Sequence, residues 1–242
     1  EIEKNIPLRA YNLTEILTNA SAISKELVFA HEDLFAHFRT YLEYGAYPFY
    51  LEGCDSFASK LFNAQDKIIH EDIPSLNKID YSHISIFQKL IFKLLDARTP
   101  YSVNMAGLAR EFGVSEPTLY TYMEILDRTG IFKSMKKESK KESRKPQKLL
   151  FADTNILYSY ANKFGIEVDM GTARETFFAS CFEKIFYSDI GDFVIDGCVF
   201  EVGGKNKGFE QIKDIPNSYL AVDIDFTTNN KKIPLWLFGF LN

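Results

Sequence analysis

With 242 residues, 46% hydrophobic and 25% charged, the chain has a globular composition and room for two or three small cores. A net charge of −5 excludes a global pull toward nucleic acid or anionic lipid, so any such affinity has to come from a local patch. Cys54, Cys181 and Cys198 form no CxxC pair and no metal-ligand spacing with the four histidines. No apolar run reaches the ~18 residues of a membrane span. These features predict reduced thiols, a cytoplasmic location and no membrane partner.

The start Glu1-Ile2-Glu3-Lys4 carries no targeting pattern and reads as a cut inside a longer chain. Residues 8–72 read as helical. Leu34, Phe35, Phe38, Tyr41 and Leu42 recur at helical spacing until Gly45 and Pro48. A second helix is predicted over 57–70, closed by Asp72-Ile73-Pro74, with a polar linker over 74–83.

From Ile84 the helical pattern returns. Phe87, Leu90, Ile91, Leu94 and Leu95 make one apolar stripe ending before Pro100. Met105, Leu108, Ala109 and Phe112 make the next, stopped by Gly113. Ser115 is a good N-cap for a third helix, with Pro117 tolerated in its first turn. That helix buries Leu119, Tyr122 or Met123, and Leu126, and ends at Gly130. Helix, glycine turn and capped helix make the helix-turn-helix signature. Two β-prone stretches, 131–135 and 148–151, flank a charged, serine-rich tip. The pattern predicts a winged helix-turn-helix over residues 75–151.

The wing crowds Lys133, Lys136, Lys137, Lys140, Lys141, Arg144, Lys145 and Lys148 against only Glu138 and Glu142, a footprint suited to phosphate. The last helix of the motif opposes that reading. Glu116, Glu124 and Asp127 outnumber Arg128, and carboxylates repel phosphate flanks. Two readings fit these residues: nucleic-acid contact through Lys136, Lys137, Lys140, Lys141, Arg144 and Lys145, or a packing module that touches only protein.

Residues 152–242 read as α/β. A short helix over 153–164 and a loop over 165–171 lead to a helix over 172–186 that buries Phe178, Cys181, Phe182, Ile185 and Phe186. Asp196-Gly197 is a strong two-residue hairpin turn. It sets Ile195 opposite Cys198, Val194 opposite Val199, Phe193 opposite Phe200 and Asp192 opposite Glu201, with the two carboxylates ~5 Å apart at Cβ. Facing carboxylates need a shared proton, a cation or a divalent metal. Oxygen ligands at that spacing suit Mg²⁺ or Mn²⁺, which support phosphodiester hydrolysis; alternatively, Lys205 or Lys207 neutralises the pair. Glu175, one turn before Phe178, either points at the sheet or satisfies the helix start, because Thr172-Ala173-Arg174-Glu175 fits a capping box.

Several stretches now carry a resemblance: Gly171-Thr-Ala-Arg-Glu-Thr-Phe-Phe178, Gly191-Asp-Phe193, Phe200-Glu-Val-Gly-Gly-Lys-Asn-Lys207 and Ile233-Pro-Leu-Trp-Leu-Phe-Gly-Phe-Leu241. Together they resemble the C-terminal region of bacterial and archaeal AAA-type ATPases, in which a winged helix precedes a restriction-endonuclease-like fold. Phe38-Arg-Thr-Tyr-Leu-Glu-Tyr-Gly-Ala-Tyr-Pro-Phe49 is similar to the stretch after the ATPase core. The resemblance implies a lid-like segment over 1–74 and a missing N-terminal ATPase core as partner. ATP would belong to that core, since the sequence has no GxxxxGK[ST] loop. It also implies an Asp, then a Glu-x-Lys, with an acid on the first helix. Asp192, Glu201 and Glu175 match, but the lysine slot is Gly203. Lys205 lies ~7 Å further along the same face, and a bulge at Gly203-Gly204 would return it.

The expectation is therefore a mixed α+β chain: helical segment 1–74, winged helix-turn-helix 75–151, and a small α/β restriction-endonuclease-like domain 152–242. Its expected role is a nucleic-acid- or partner-binding module. The enzymatic alternative is a nuclease using Glu175, Asp192, Glu201 and Lys205, with Mg²⁺ or Mn²⁺ on Asp192 and Glu201. A third alternative is a structural module that mediates homo-oligomer contacts.

Overall fold

The computed structural model describes residues 9–77, 79–97, 101–138 and 146–241, a mixed α+β arrangement of helices around two small sheets. α1 (Leu13–Ala30) starts on a capping box in which Asn12 accepts from Glu15 N–H and Glu15 reaches back to Asn12 N–H. α2 (Leu34–Tyr44) follows, then a 3₁₀ turn (Pro48–Glu52) and α3 (Cys54–Lys67). The stop expected at Asp72-Ile73-Pro74 is not a stop. A π-helical turn (Ile68–Asp72) leads directly into α4 (Ile73–Asn77): Ile73 N–H donates to Ile68 O, and the wide turn carries the helix into the buried Pro74.

α5 (Ile84–Asp96) buries the expected stripe from Ile84 to Leu95. After β1 (Tyr101–Ser102), α6 (Met105–Phe112) is closed by Gly113 at φ +70°, a left-handed cap that favours glycine. Ser115 accepts from Thr118 N–H to start α7 (Glu116–Arg128). β2 (Phe132–Met135) and β3 (Lys148–Phe151) form the expected antiparallel hairpin, with β1 on the other side of β3, in the order β1-β3-β2. The hairpin tip carrying Lys140, Lys141, Arg144 and Lys145 lies outside the described residues.

Asp153 caps α8 (Thr154–Phe164). α9 (Met170–Ser180) begins two residues earlier and ends sooner than the expected 172–186 helix. At its end Ser180 Oγ and Cys181 Sγ both donate to Phe177 O, side-chain bonds that favour termination. The chain then extends into β4 (Phe186–Tyr187), paired antiparallel with β5 (Phe193–Ile195). β6 (Cys198–Gly203) is antiparallel to β5 and parallel to β7 (Ser218–Val222), which is parallel to β8 (Lys232–Pro234). A 3₁₀ turn over Leu235–Phe240 closes the described chain.

The apolar residues sort into cores that cut across the expected boundaries at 74 and 151. Phe57 and Leu61 of α3 share a core with α5 to α8. Ile16 and Leu27 of α1 and Phe38 and Leu42 of α2 instead join Phe177, Phe200, Trp236 and Phe238 around the second sheet. β3 joins both, with Leu149 and Phe151 in the first core and Leu150 in the second. One buried amide fixes the junction. Asn155 Nδ2 donates to Leu42 O at 2.9 Å and to Tyr41 O at 2.8 Å, which also accepts from Gly45 N–H, and Oδ1 accepts from Ala46 N–H at 2.6 Å.

Candidate active site

The β5–β6 hairpin has the expected register: Phe193↔Phe200, Val194↔Val199 and Ile195↔Cys198. Its turn needs left-handed backbone at both central residues, supplied by Asp196 (φ +50°) and Gly197 (φ +74°). Phe193, Ile195, Phe200 and Val202 are buried on one face against Phe178 and Phe238.

Asp192 does not continue the ladder as expected. Its N–H donates to Phe200 O at 2.9 Å, and its Oδ2 accepts from Val202 N–H at 2.7 Å, the place of a backbone carbonyl. The carboxylate is thereby fixed at the end of the hairpin. Glu201 lies within β6, between β5 and β7, and is only 2% exposed. Its Oε1 takes an ion pair from Lys207 Nζ, while its Oε2 is buried with no hydrogen-bond partner.

Lys207, rather than Lys205, supplies the cation at this position. β6 ends at Gly203, and Lys207 N–H donates to Gly204 O at 2.9 Å, closing a tight turn that leaves Lys205 exposed. Lys205 only accepts at its carbonyl from Lys232 Nζ. The turn folds the Lys207 stem back over Gly203: a Cβ built at 203 would lie 2.7 Å from Lys207 Cγ and 2.8 Å from its Cβ. Lys207 thus fills the volume a side chain at 203 would take. Nζ also donates to Gln211 Oε1 at 3.0 Å.

Glu175 is brought to the same site from α9, and the capping reading fails. The N-cap of α9 is Asp169, which accepts from Thr172 N–H. Glu175 Oε2 is buried without a partner. Burial first, then the charge of Asp192, pushes the Glu175 carboxyl up to about 8, against the pull of Lys148 and Lys207. Burial pushes Asp192 up to about 6, with the Val202 N–H and both lysines opposing. Burial alone would lower the Lys207 ammonium, but Glu201, Asp192 and Glu175 leave it raised. Among the described residues no three acidic, histidine or cysteine side chains converge as a complete metal cage.

Lys148, which the sequence assigns to the wing, is a second cation felt by both Glu175 and Asp192. It sits at the start of β3, with its Nζ 4.7 Å from the centre of the Tyr187 ring. Tyr187 follows Phe186 on β4, and its N–H donates to Lys136 O, so the two sheets meet beside the carboxylates. The signal for Lys148 was its position at the sheet end of a basic run, which charge counting does not separate from the tip.

The remaining wing cations divide. Lys133 Nζ donates to Phe182 O, and Lys137 pairs with Asp189, while the Lys136 side chain is exposed. On α7, the exposed Asp127 accepts from Ser134 N–H at 3.2 Å, so its carboxylate is engaged with β2 of the β2–β3 hairpin.

A family model described as a domain of unknown function (DUF8612) matches residues 35–166, more than half of the chain. The match takes in Lys148 and stops short of Glu175, Asp192, Glu201 and Lys207. No curated protein and no solved structure matches the chain. The chain belongs to the DUF8612 family.

Proposed function

We propose that this DUF8612 protein carries a divalent-cation-dependent phosphodiesterase site, formed by Glu175, Asp192, Glu201 and Lys207. The observation that carries the reading is Lys207 lying over Gly203 with its ammonium on Glu201. The sequence lacked a lysine two residues after Glu201, and this arrangement supplies one from the following turn.

The residues fit a hard cation. Asp192 offers Oδ1 beyond its bond to Val202, and Glu201 Oε2 is a buried acceptor with nothing to accept from. Mg²⁺ needs only one or two carboxylates when substrate phosphate completes its shell, so a three-acid cage is not required. A cation there would supply positive charge against charge developing on the phosphoryl oxygens. Lys207 adds a fixed positive charge beside Glu201, and Glu175, with its raised pKa, can hold a proton near neutrality.

The antiparallel hairpin β5–β6 running into the parallel pair β6–β7, with α9 packed on β6, supports an endonuclease-like assignment for this unit. The order α5, α6, α7 and hairpin β2–β3 supports a winged helix. Descent from an AAA-type ATPase with its own ATP-binding core rests on the sequence resemblance alone.

Incubation of the protein with labelled oligonucleotides in Mn²⁺ or Mg²⁺ tests the activity. Cleavage that is lost with EDTA and reduced at least 100-fold in both Asp192→Asn and Lys207→Ala is the expected result. Cleavage that persists in folded Asp192→Asn, or none in the wild type with either cation, refutes the proposal.

A further inference from the structure

A polar cleft of about 270 Å³ lies where the two sheets meet, lined by Ser102, Asn104, Gln147, Lys148, Tyr187 and Asp189 together with Val103. Three features set its charge. Lys148 stands on one wall, its ammonium held over the Tyr187 ring. The N-terminus of α6 opens onto it through the N-cap Asn104, adding the positive end of a helix dipole. Asp189, the one acid among the described lining residues, is paired with Lys137.

Lys148 links the cleft electrostatically to the carboxylate site, since its charge acts on both Glu175 and Asp192. A phosphate seated on Lys148 would therefore share that lysine's charge with the acids proposed to act on its neighbour. The volume suits one nucleotide unit of an extended chain. A duplex is too bulky to enter a cleft of this volume.

We propose that this cleft binds the backbone of single-stranded nucleic acid and leads it to the carboxylates, with Lys148 as the phosphate-binding residue and Tyr187 as the residue that positions it. The inference rests on the phosphodiesterase reading for its direction, but it can be tested without catalysis. Tyr187 acts through Lys148: its ring keeps a flexible ammonium at the cleft wall, a contact that any aromatic face provides. Base stacking is not required, so sequence preference should be weak.

Fluorescence anisotropy in EDTA at low salt, with a labelled single-stranded 12-mer and its duplex, provides the test. The wild type should bind the single strand more tightly than the duplex. Lys148→Glu should weaken single-strand binding at least tenfold and Lys148→Ala about fivefold, with the slope of log K against log salt reduced by about 1. Tyr187→Phe should bind as the wild type does, while Tyr187→Ala should lose severalfold, a pattern that a merely structural tyrosine would not give at unchanged melting temperature. Asp192→Asn should bind at least as well as the wild type.

Equal affinity of folded Lys148→Glu and wild type overturns the proposal, as does preference for the duplex or no binding at low salt. Lys148-dependent binding without any metal-dependent cleavage would sink the phosphodiesterase reading and leave the cleft standing. Cleavage that does not depend on Lys148 would do the reverse.

Discussion

Lys207 occupies the space that Gly203 leaves empty and brings its ammonium to Glu201. The two positions are coupled: a side chain at 203 and the Lys207 stem cannot share one volume. Gly203→Ala should therefore overpack the turn, costing about 1–3 kcal/mol. Lys207→Ala leaves the Glu201 carboxylate buried without its cation. That should cost about 2 kcal/mol, below the ~3–5 of a fully buried pair, because Lys207 is a third exposed. The double variant Gly203→Lys with Lys207→Ala moves the amine to the strand itself and should recover most of that loss. Urea unfolding of the three variants measures this, and a double variant no more stable than Lys207→Ala would contradict the coupling.

The acids at this site give stability an unusual dependence on pH. The Glu175 carboxyl stands near 8 when folded, above its ordinary value, because burial and Asp192 disfavour its charge. Asp192 is raised in the same sense, to about 6. Between their unfolded and folded values the native state holds more protons than the unfolded chain. Stability contributed by these groups is therefore present at low pH and lost as pH rises from about 4.5 to 8. Glu175→Gln mimics the protonated form and should flatten that decline, stabilising the protein at pH 8–9 by about 1–3 kcal/mol. Melting curves from pH 5 to 9 provide the check. A wild type that gains stability across this range, or a Gln variant with the same slope, would show that Glu175 is already satisfied.

The most legible part of the site was its turn. Asp196-Gly197 fixed the register from two residues, because only a few side chains accept positive φ at both positions. Gly197→Ala should accordingly cost about 1 kcal/mol in thermal unfolding, while Asp196→Gly stays close to neutral. What followed the strand was less legible. Periodicity predicts where a side chain points while the strand lasts, so it placed Lys205 on the face of Glu201. β6 stops at Gly203, and the choice between Lys205 and Lys207 then depended on a turn hydrogen bond to Gly204 that no alternation encodes. The end of α9 was missed for a similar reason. Phe182, Ile185 and Phe186 continue a helical stripe in sequence, but pairing of β4 with β5 draws Phe186 into the sheet. Helix existence and apolar faces were readable from local pattern; the assignment of α1 and α2 to the second core was not, since it joins residues some 200 positions apart in sequence, such as Tyr11 and Phe240.

Asn155 carries more of the architecture than its size suggests. It is fully buried and uses its amide on three backbone groups at the end of α2. Asn155→Ala removes all three bonds: Leu42 O loses its partner in buried surroundings, Ala46 N–H loses its acceptor, and Tyr41 O keeps its bond from Gly45 N–H. The expected cost is about 2–4 kcal/mol. Asn155→Asp keeps the acceptor for Ala46 but places a negative charge against two carbonyls, so it should be at least as damaging above pH 5. Hydrogen exchange should show the loss first at the α2–α8 contact. A loss of less than about 1 kcal/mol in Asn155→Ala would mean that water or side-chain rearrangement replaces the amide.

A divalent cation should act on the same acids in the opposite sense to protons. At pH 8 Asp192 is ionised, and Glu201 Oε2 is an unpartnered acceptor within the buried strand. A cation bound only by the folded state stabilises it by mass action, by about 2.7 kcal/mol at a hundredfold excess over Kd. Mn²⁺ should therefore raise the melting temperature at pH 8 by several degrees. The gain should shrink toward pH 5, where protonation of Asp192 removes a ligand charge. Asp192→Asn and Glu201→Gln should abolish it, while Lys205→Ala should leave it intact, since Lys205 is exposed and only its carbonyl is engaged. Calorimetric melting with and without Mn²⁺ at the two pH values decides the matter. A melting temperature that Mn²⁺ leaves unchanged at pH 8 would mean that the carboxylates are satisfied by Lys207 and by protons alone.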